Sequence, residues 1–416
     1  MTTHAAYDCD VLVIGGGIAG LSAAYALTRS APGTRVTVLE KDRDPARHPP
    51  GGDTGVLPSG IHHAPGTLGA RCAVRGRAEL AGFCADHGIA HATRDELIVA
   101  TASSELPRLH ALAQRGRAHG LPVRELGPVQ IAEYEPHLRG LAAVRIATAG
   151  VCDVSAVASR LAAEVGAAGG RVRYGAEVLA VDRRPWGVAV RASGDQVIRA
   201  RVLVNCAGPH SGRVARLAGD DLGVRIVPYR EEHYALTRPE LVRGLVRPVP
   251  DPAAPAPGIR LTRGVDGTVR VGPDTVPAPA GERSARPDAH RHGPASMVGR
   301  PASWRIARRH WRYAAEEVRT SVSKRALVRA VQRLLPEVTE DDLRPAPAGV
   351  AARAVLGDGT PVDGLLVREA LHTVHVLNTP APAAVLPLGR EVARRALESA
   401  RATGWRPPAV ESGHCV

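Results

Sequence analysis

The chain has 416 residues, 44% of them apolar, and so exceeds the size at which one hydrophobic core keeps growing; two domains are expected. Aromatics make up 3%, Phe83 is the sole Phe, and Lys41 and Lys324 are the only lysines, so the cores are built from Ala, Val and Leu and nearly all 54 basic residues are arginine, as in a high-GC bacterial genome. A net charge of +13 spread along the chain, with few aromatic platforms and no nucleic-acid motif, argues against nucleic acid and for a solvated arginine surface that attracts anionic substrates. The six cysteines form no C-x-x-C pair, there is no basic, apolar leader, and no run reaches transmembrane length; a cytoplasmic protein with reduced thiols is expected.

Asp10 to Ile14 is an apolar, β-branched run that enters Gly15-Gly16-Gly17-Ile18-Ala19-Gly20 and leaves as an Ala/Leu-rich helix. A second apolar run, Val36 to Leu39, ends in Glu40, 20 residues after Gly20. This is the G-x-G-x-x-G dinucleotide fingerprint in its strand, turn, helix and strand context. Gly15 permits the tight turn, Gly17 lets backbone approach a pyrophosphate, and Gly20 lets helix and strand pack closely. The pyrophosphate would lie on the helix N-terminus, whose free N–H groups attract anions, and Glu40 would take the ribose hydroxyls.

Arg43 to Gly69 is rich in Gly, Pro and His and is a poor helix candidate. Leu68–His87 reads as a helix, Glu96–Ala100 as a short strand and Leu106–His119 as a helix. Asp153 has the chemistry of an N-cap for a helix over Ala156–Ala168. Val172–Val181 and Gly187–Arg191 read as strands, followed by a turn at Ser193-Gly194-Asp195 and a buried strand, Arg201–Cys206, running into Ala207-Gly208. Short strands alternate with turns from Val224 to Val271. Pro277–Pro301 is a long Pro/Arg/His segment whose His290 and His292 read as exposed, and Trp304–Leu335 reads as helical. Pro345–Gly364 is Gly/Pro-rich, Thr373–Leu377 is a strand, and a last helix reaches about Arg401.

These later residues carry a resemblance. Pro65-Gly66-Thr67-Leu68, Pro248 to Pro252, Leu261-Thr262-Arg263 with Asp266-Gly267, Val271-Gly272-Pro273, Pro347-Ala348-Gly349-Val350 and Asn378 to Ala384 join the glycine fingerprint and Leu39-Glu40-Lys41. Together they make the chain similar, over almost its whole length, to the FAD-dependent L-2-hydroxyglutarate oxidase/dehydrogenase family of the D-amino-acid oxidase and glycine oxidase superfamily. The resemblance implies an α/β fold: a Rossmann-like FAD-binding domain of the two-dinucleotide-binding type with an inserted α+β substrate domain. The FAD domain would comprise 1–80, 150–220 and 345–416, and the substrate domain 81–149 and 221–344. Several positions depart from the family pattern. Gly52 and Pro58 stand where it has histidines, and Asp53 stands for Asn. His62-His63 replace a Tyr pair, Glu231 replaces the Gly of R-G-E-Y, and Ala351 replaces an Arg, with Arg353 two residues on.

By that resemblance FAD meets Gly15, Gly17, Ile18, Ala19, Gly20, Glu40, Lys41, His48, Thr54, Gly55, Val178, Ala207, Gly208, Gly349, Pro380, Ala381 and Ala383. The activity implied is oxidation of a small 2-hydroxy acid, L-2-hydroxyglutarate or a relative, by hydride transfer to flavin N5, with oxygen or a quinone as electron acceptor. The chemistry needs a proton acceptor and cations for a carboxylate. His62 and His63 are the first candidates for the base, ahead of His233 and of His375, whose alternation with apolar residues suits a core histidine. Arg263, Arg230 and Arg353 are the candidates for the carboxylate. No metal-binding pattern appears and no metal is expected. An amine or amino-acid oxidase, or a flavin-binding partner subunit without activity, are the other readings.

Overall fold

A computed structural model describes residues 7–43, 55–64, 66–251, 258–277, 324–362, 364–378, 380–402 and 404–406. His48, Thr54, Gly52, Asp53, His290, His292 and most of the Pro277–Pro301 and Trp304–Leu335 segments lie outside the described residues.

Eight strands form the first sheet, with β1 (Cys9–Ile14) at its centre. β10 (Gln196–Asn205) and β2 (Val36–Leu39) flank β1 in parallel, β7 (Arg171–Arg173) extends the β2 side, and β17 (Thr373–Val376) and β16 (Val367–Ala370) extend the β10 side. β8 (Val178–Arg184) and β9 (Gly187–Ala192) join the first half of β10 as antiparallel strands. All residues of β1 and β2 are buried, as expected of parallel strands covered on both faces. One face packs on α1 (Ile18–Ser30) and α8 (Val385–Ala402) through Val11, Val13, Leu27, Val392 and Ala396; the other packs through Leu12, Ile14, Val188 and Val190. Ser22 Oγ donates to Val385 O at 2.7 Å, and Gly389 has no room for a Cβ against Ser22, which sets the close crossing of α1 and α8. The expected single strand over Val172–Val181 is two strands, β7 and β8, broken at Gly175, whose positive φ of 70° turns the chain.

A second, nine-stranded sheet runs in the order β15 (Leu343–Leu356), β11 (Val224–Leu236), β14 (Val269–Pro277), β13 (Arg260–Arg263), β12 (Leu245–Pro248), β4 (His91–Ala100), β6 (Ala142–Cys152) and β3 (Val56–Leu57), with β5 (Val123–Leu126) on β6. The Gly/Pro-rich stretch from Pro345 is therefore mostly an edge strand, where prolines leave no central ladder bond unmade. The expected boundary at 345 falls inside this strand, and the expected short strands after Val224 begin with the 13-residue β11.

β11 is regular, but both neighbours carry an extra residue against it. Gly272-Pro273 of β14 oppose the single residue His233, and Pro347-Ala348 of β15 oppose Glu232. Proline fits such positions because it has no N–H to offer the ladder, and Gly272 adopts φ +144°. Strand alternation then splits the sheet. Leu97, Val246, Leu261, Val271, Tyr234 and Leu236 face a core closed by Leu327, Val328 and Val331 of α7 (Lys324–Gln332). Glu96, Arg247, Arg260, Thr262, His233 and Glu231 alternate to the opposite face.

Two short helices, α4 (Pro128–Tyr134) and α6 (Ser211–Leu217), add to those expected from the sequence; the others follow the expectation closely. α2 (Leu68–Asp86) is capped by Thr67, whose Oγ1 accepts from Ala70 N at 3.2 Å, and buries Cys72, Leu80 and Phe83. α3 (Leu106–Ala118) packs Leu109 and Leu112 beneath β4 and β6. α5 (Val154–Ala167) is capped by Asp153, which accepts from Ala156 N at 3.0 Å.

Candidate active site

The end of β1 delivers the glycine turn. Gly15 has φ +104°, and a Cβ there would lie 2.4 Å from Cys206 O; one on Gly20 would lie 2.0 Å from Gly15 O. Only glycine permits these approaches. Gly17 differs: its φ is −74°, and a Cβ would meet nothing within 4 Å. It is the N-cap of α1, no side chain caps that helix, and Ile18 and Ala19 form its first turn. The Glu40 carboxylate closes the far side, accepting from Gly16 N at 2.7 Å and Asp42 N at 3.0 Å, with Lys41 next in the chain. An uncapped helix N-terminus facing open space, with an acid beside it, is a cradle for a pyrophosphate and a ribose.

At the end of β10, Asn205 Oδ1 accepts from Ala207 N at 3.2 Å, and Gly208 turns away with φ +53°. Asn205 Nδ2 donates to Ser211 O and to His375 Nδ1 (2.9 Å), so the His375 proton is on Nε2, which donates to Asp220 Oδ2 at 2.9 Å. Asp220 also accepts from Thr373 Oγ1 (2.8 Å) and Arg183. Burial lowers the His375 pKa despite Asp220. His375 is thus a satisfied core histidine that fixes the β10 and β17 ends, as its alternation suggested. Val178 is buried, and its carbonyl accepts from Arg213 Nη1 at 3.0 Å. Pro380 precedes a tight turn, Pro382–Ala384, with Ala381 as its N-cap; Ala383 is buried, and its carbonyl leaves no room for a Cβ on Gly76 of α2. Asn378 donates to Val362 O (3.1 Å) and Gly364 O (2.6 Å), tying this segment to the edge of the second sheet.

The second sheet supplies the charged groups. Arg247 pairs with Arg260 across β12 and β13 by continuation of their ladder, and Arg247 Nη1 lies 3.5 Å from Glu96 Oε1. Glu96 Oε2 accepts from Ser59 Oγ at 2.7 Å. Arg247 and Glu96 side chains are only 10% and 3% exposed. Burial pulls the Arg247 pKa down to about 10, with Arg260 adding to the effect and Glu96 opposing it. A crevice runs between Val56, Pro58, Glu96, Arg247, Arg260 and Thr262. His62 lies against this group. Burial, then Arg247, His63, Arg260 and Arg115, hold its pKa well below the usual value, and its Nε2 is buried without a hydrogen-bond partner among the described residues. Arg115 Nη1 donates to His62 O at 3.2 Å, and His119 Nε2 contacts His63 O at 3.0 Å, so both backbone carbonyls of the pair are fixed from α3 and the residue after it.

On β11, Glu231 is opposite Gly349 and Thr275. Burial raises its pKa, while Arg260 and Arg353 pull against that rise. His233 is 97% buried with neither ring nitrogen partnered among the described residues; burial, with Arg260 and Arg270, pushes it down to about 3. Arg353, on β15, shares the face of Glu231. Arg230 is described by its backbone alone, opposite Val350. Arg263 does not join the cluster: its Nη1 donates to Pro239 O at 2.7 Å and Val242 O at 3.0 Å, tying β13 to the turn before β12. The expectation that Arg263 joins the charged cluster is corrected accordingly: its guanidinium is held by backbone carbonyls, and Arg260 and Arg247 line the crevice instead. A signal for this was present, since alternation along Arg260-Leu261-Thr262-Arg263 places Arg260 opposite in face to the core residue Leu261.

Residues 10–395 match the family described as FAD dependent oxidoreductase. The chain belongs to that family. It is 34% identical over 387 residues to the L-2-hydroxyglutarate dehydrogenase of Salmonella houtenae, covering 92% of each chain. It is 33% identical over 395 residues to the mitochondrial human enzyme of that name, covering 90% and 85%. Its fold matches the FAD-bound L-alpha-glycerophosphate oxidase of Mycoplasma pneumoniae at TM-score 0.75 and 19% identity over 97% of both chains. It also matches glycine oxidase from Geobacillus kaustophilus at TM-score 0.69 and 17% identity over 95% of both. FAD is the cofactor of this flavoprotein, and the empty approach to Gly17, the uncapped α1 and the Glu40 carboxylate fit its pyrophosphate and ribose. Among the described residues no cluster of His, Cys, Asp or Glu could hold a metal, and no helix is long and apolar enough to cross a membrane.

Proposed function

We propose that this flavoprotein oxidises a small L-2-hydroxy acid, the class to which L-2-hydroxyglutarate belongs, to the 2-oxo acid. The observation that carries the reading is the buried His62 Nε2, without a hydrogen-bond partner among the described residues, set against two arginines that share one sheet face, Arg247 and Arg260. FAD, when bound through Gly15 to Gly20, Glu40 and the Ala207-Gly208 and Pro380–Ala383 segments, supplies the acceptor for the hydride leaving the carbinol carbon. Arg260 grips the substrate carboxylate and Arg247, held by Glu96, braces it. His62 Nε2 takes the hydroxyl proton as the C=O bond forms. The carboxylate offsets the positive field of the arginines, which raises the His62 pKa in the complex and makes it a stronger base once substrate is in place. The protein works in the cytoplasm and passes its electrons to oxygen or a quinone.

The test is an anaerobic titration of the FAD-loaded protein with L-2-hydroxyglutarate and other small 2-hydroxy acids, following the oxidised flavin band. Bleaching by a 2-hydroxy acid supports the reading. Bleaching by amino acids alone would replace it with amine oxidation, and bleaching by neither class would leave a flavin-binding partner subunit.

A further inference from the structure

Asn205, Ser211, Thr373 and His375 are fully buried where β10 and β17 end side by side, and they belong to one hydrogen-bonded network. The Asn205 amide has a single orientation, because Ala207 N–H needs an acceptor and Ser211 O needs a donor. Its Oδ1 serves the first at 3.2 Å and its Nδ2 the second at 2.8 Å. His375 Nδ1 therefore accepts from Nδ2, and its Nε2–H donates to Asp220. Burial works against the charge on Asp220, but hydrogen bonds from Arg183, Thr373 and His375 together hold its carboxyl below the ordinary range, so it stays the acceptor for all three. The other end of the network reaches the glycine turn. The Cys206 carbonyl occupies the place of a Gly15 side chain, 2.4 Å from where its Cβ would stand, and Ala207 Cα lies 3.2 Å from the same point. The peptide between Cys206 and Ala207 is thus one wall of the turn that presents α1 to a pyrophosphate.

We propose that His375, acting through Asn205, is a positioning residue for FAD: the imidazole with its single proton on Nε2 locks the Cys206-Ala207 backbone against Gly15 and so shapes the dinucleotide cradle. The lock holds in one protonation state. A second proton would sit on Nδ1 and set an N–H against the Asn205 Nδ2. Turning the amide to relieve this would set Nδ2 against Ala207 N–H and Oδ1 against Ser211 O. The charged groups facing His375 are Asp220 and Arg183. Arg213 of α6 is taken up by Glu177 and the Val178 carbonyl, while Arg216 and, across the ladder on β16, Arg368 are exposed. Burial, with Arg183 and against Asp220, keeps the His375 pKa below the ordinary value of 6.5, so the lock is closed at neutral pH. This role concerns the cofactor and is the same whichever substrate is oxidised.

FAD dissociation constants are measured by fluorescence titration of the full-length apoprotein between about pH 8 and about pH 5, in the native chain, His375→Leu, His375→Asn, Asn205→Ala and the Asn205→Ala/His375→Leu double variant. At neutral pH His375→Leu is expected to weaken FAD binding by about tenfold, and His375→Asn, whose Oδ1 can replace Nδ1 as the acceptor, to recover most of the loss. In the Asn205→Ala background His375→Leu should make no further difference, because the effect runs through that amide. The native protein should lose affinity below pH 6.5 along an acid limb that His375→Asn lacks. Native FAD affinity in His375→Leu, or independent and additive losses from the two positions, overturns the proposal. If His375→Leu does not fold, the pH profiles decide: an acid limb of the same size in the native and His375→Asn proteins overturns it.

Discussion

Two glycines of the fingerprint, three residues apart, are expected to fail in different ways when replaced by alanine. In Gly20→Ala the new Cβ falls 2.0 Å from Gly15 O and 3.3 Å from the Cys206 Cβ. Contacts of this kind settle near 3.5 Å, so α1 must withdraw by roughly 1.5 Å from the end of β1. Overpacking of this sort costs about 1–3 kcal/mol, a fall of about 2–6 °C in the melting temperature of the apoprotein for a long chain, and FAD affinity falls with it. In Gly17→Ala the backbone already has φ −74°, and the Cβ meets nothing. The apoprotein should therefore lose no more than about 1 kcal/mol, the ordinary cost of Ala at an N-cap. Yet the methyl fills the space through which the pyrophosphate reaches the helix N-terminus, so the dissociation constant for FAD should rise about tenfold or more. Differential scanning fluorimetry of the apoproteins and fluorescence titration with FAD measure both quantities. A Gly17→Ala protein that binds FAD as tightly as the native chain would refute the assignment of that space to the cofactor. A Gly20→Ala apoprotein with native melting would refute the contact.

His62→Asn should slow anaerobic flavin reduction by about 10²–10⁴-fold while the dissociation constant of an unreactive carboxylate analogue of the substrate changes little, the pattern of a lost base rather than a lost binding group. Because the native His62 pKa is held well below 6.5, the base stays unprotonated and kcat/KM should remain level from pH 8 down to 6.5, falling only below the lowered pKa; an acid limb centred near 7 contradicts this. Arg247→Met leaves the Glu96 carboxylate buried with Ser59 as its one side-chain partner among the described residues and should cost about 3–5 kcal/mol, seen as a lower melting temperature; adding Glu96→Gln should restore most of it. Hydrogen bonds from Arg394 and then Arg395, against a burial effect, hold Glu391 at about 2 on the surface of α8. Its contribution, about 1 kcal/mol after solvent screening of the half-exposed Arg394, is present above pH 4.5 and disappears as pH falls toward 2. The melting difference between native and Glu391→Gln proteins should therefore close over that acid range.

The first sheet was legible because its signals are local. Gly15 turns the chain with a positive φ, Gly20 packs on the carbonyl of Gly15 five residues earlier, and Asp153 and Thr67 cap helices three residues away. The second sheet was less so. β15 reads as Gly/Pro-rich because its edge position and its bulge tolerate Pro345 and Pro347, and nothing local marks it as a strand. His62 could be singled out by proximity to the cofactor loop, whereas Arg247, Arg260, Glu96 and Ser59 meet only through pairing of strands distant in sequence. Arg263 illustrates the difficulty: among so many arginines, the one inside a motif fastens two backbone carbonyls, and its neighbour three positions earlier faces the site.

The paired bulges beside β11 bear on how this part of the chain can change length. Gly272-Pro273 and Pro347-Ala348 each add one residue, on opposite sides of the same strand, and lie within one residue of each other along it. Removing one residue of either pair, Pro273 or Pro347 for instance, would leave the flanking partners Glu232–Asp274 and Tyr234–Val271, or Glu231–Gly349 and His233–Ala346, in register and simply straighten that ladder. Removing a residue from β11 itself would instead put both ladders out of phase at once and exchange inward and outward side chains beyond the break. The two neighbours can therefore shorten here independently of each other, whereas the middle strand tolerates exchange of side chains but not loss of a residue.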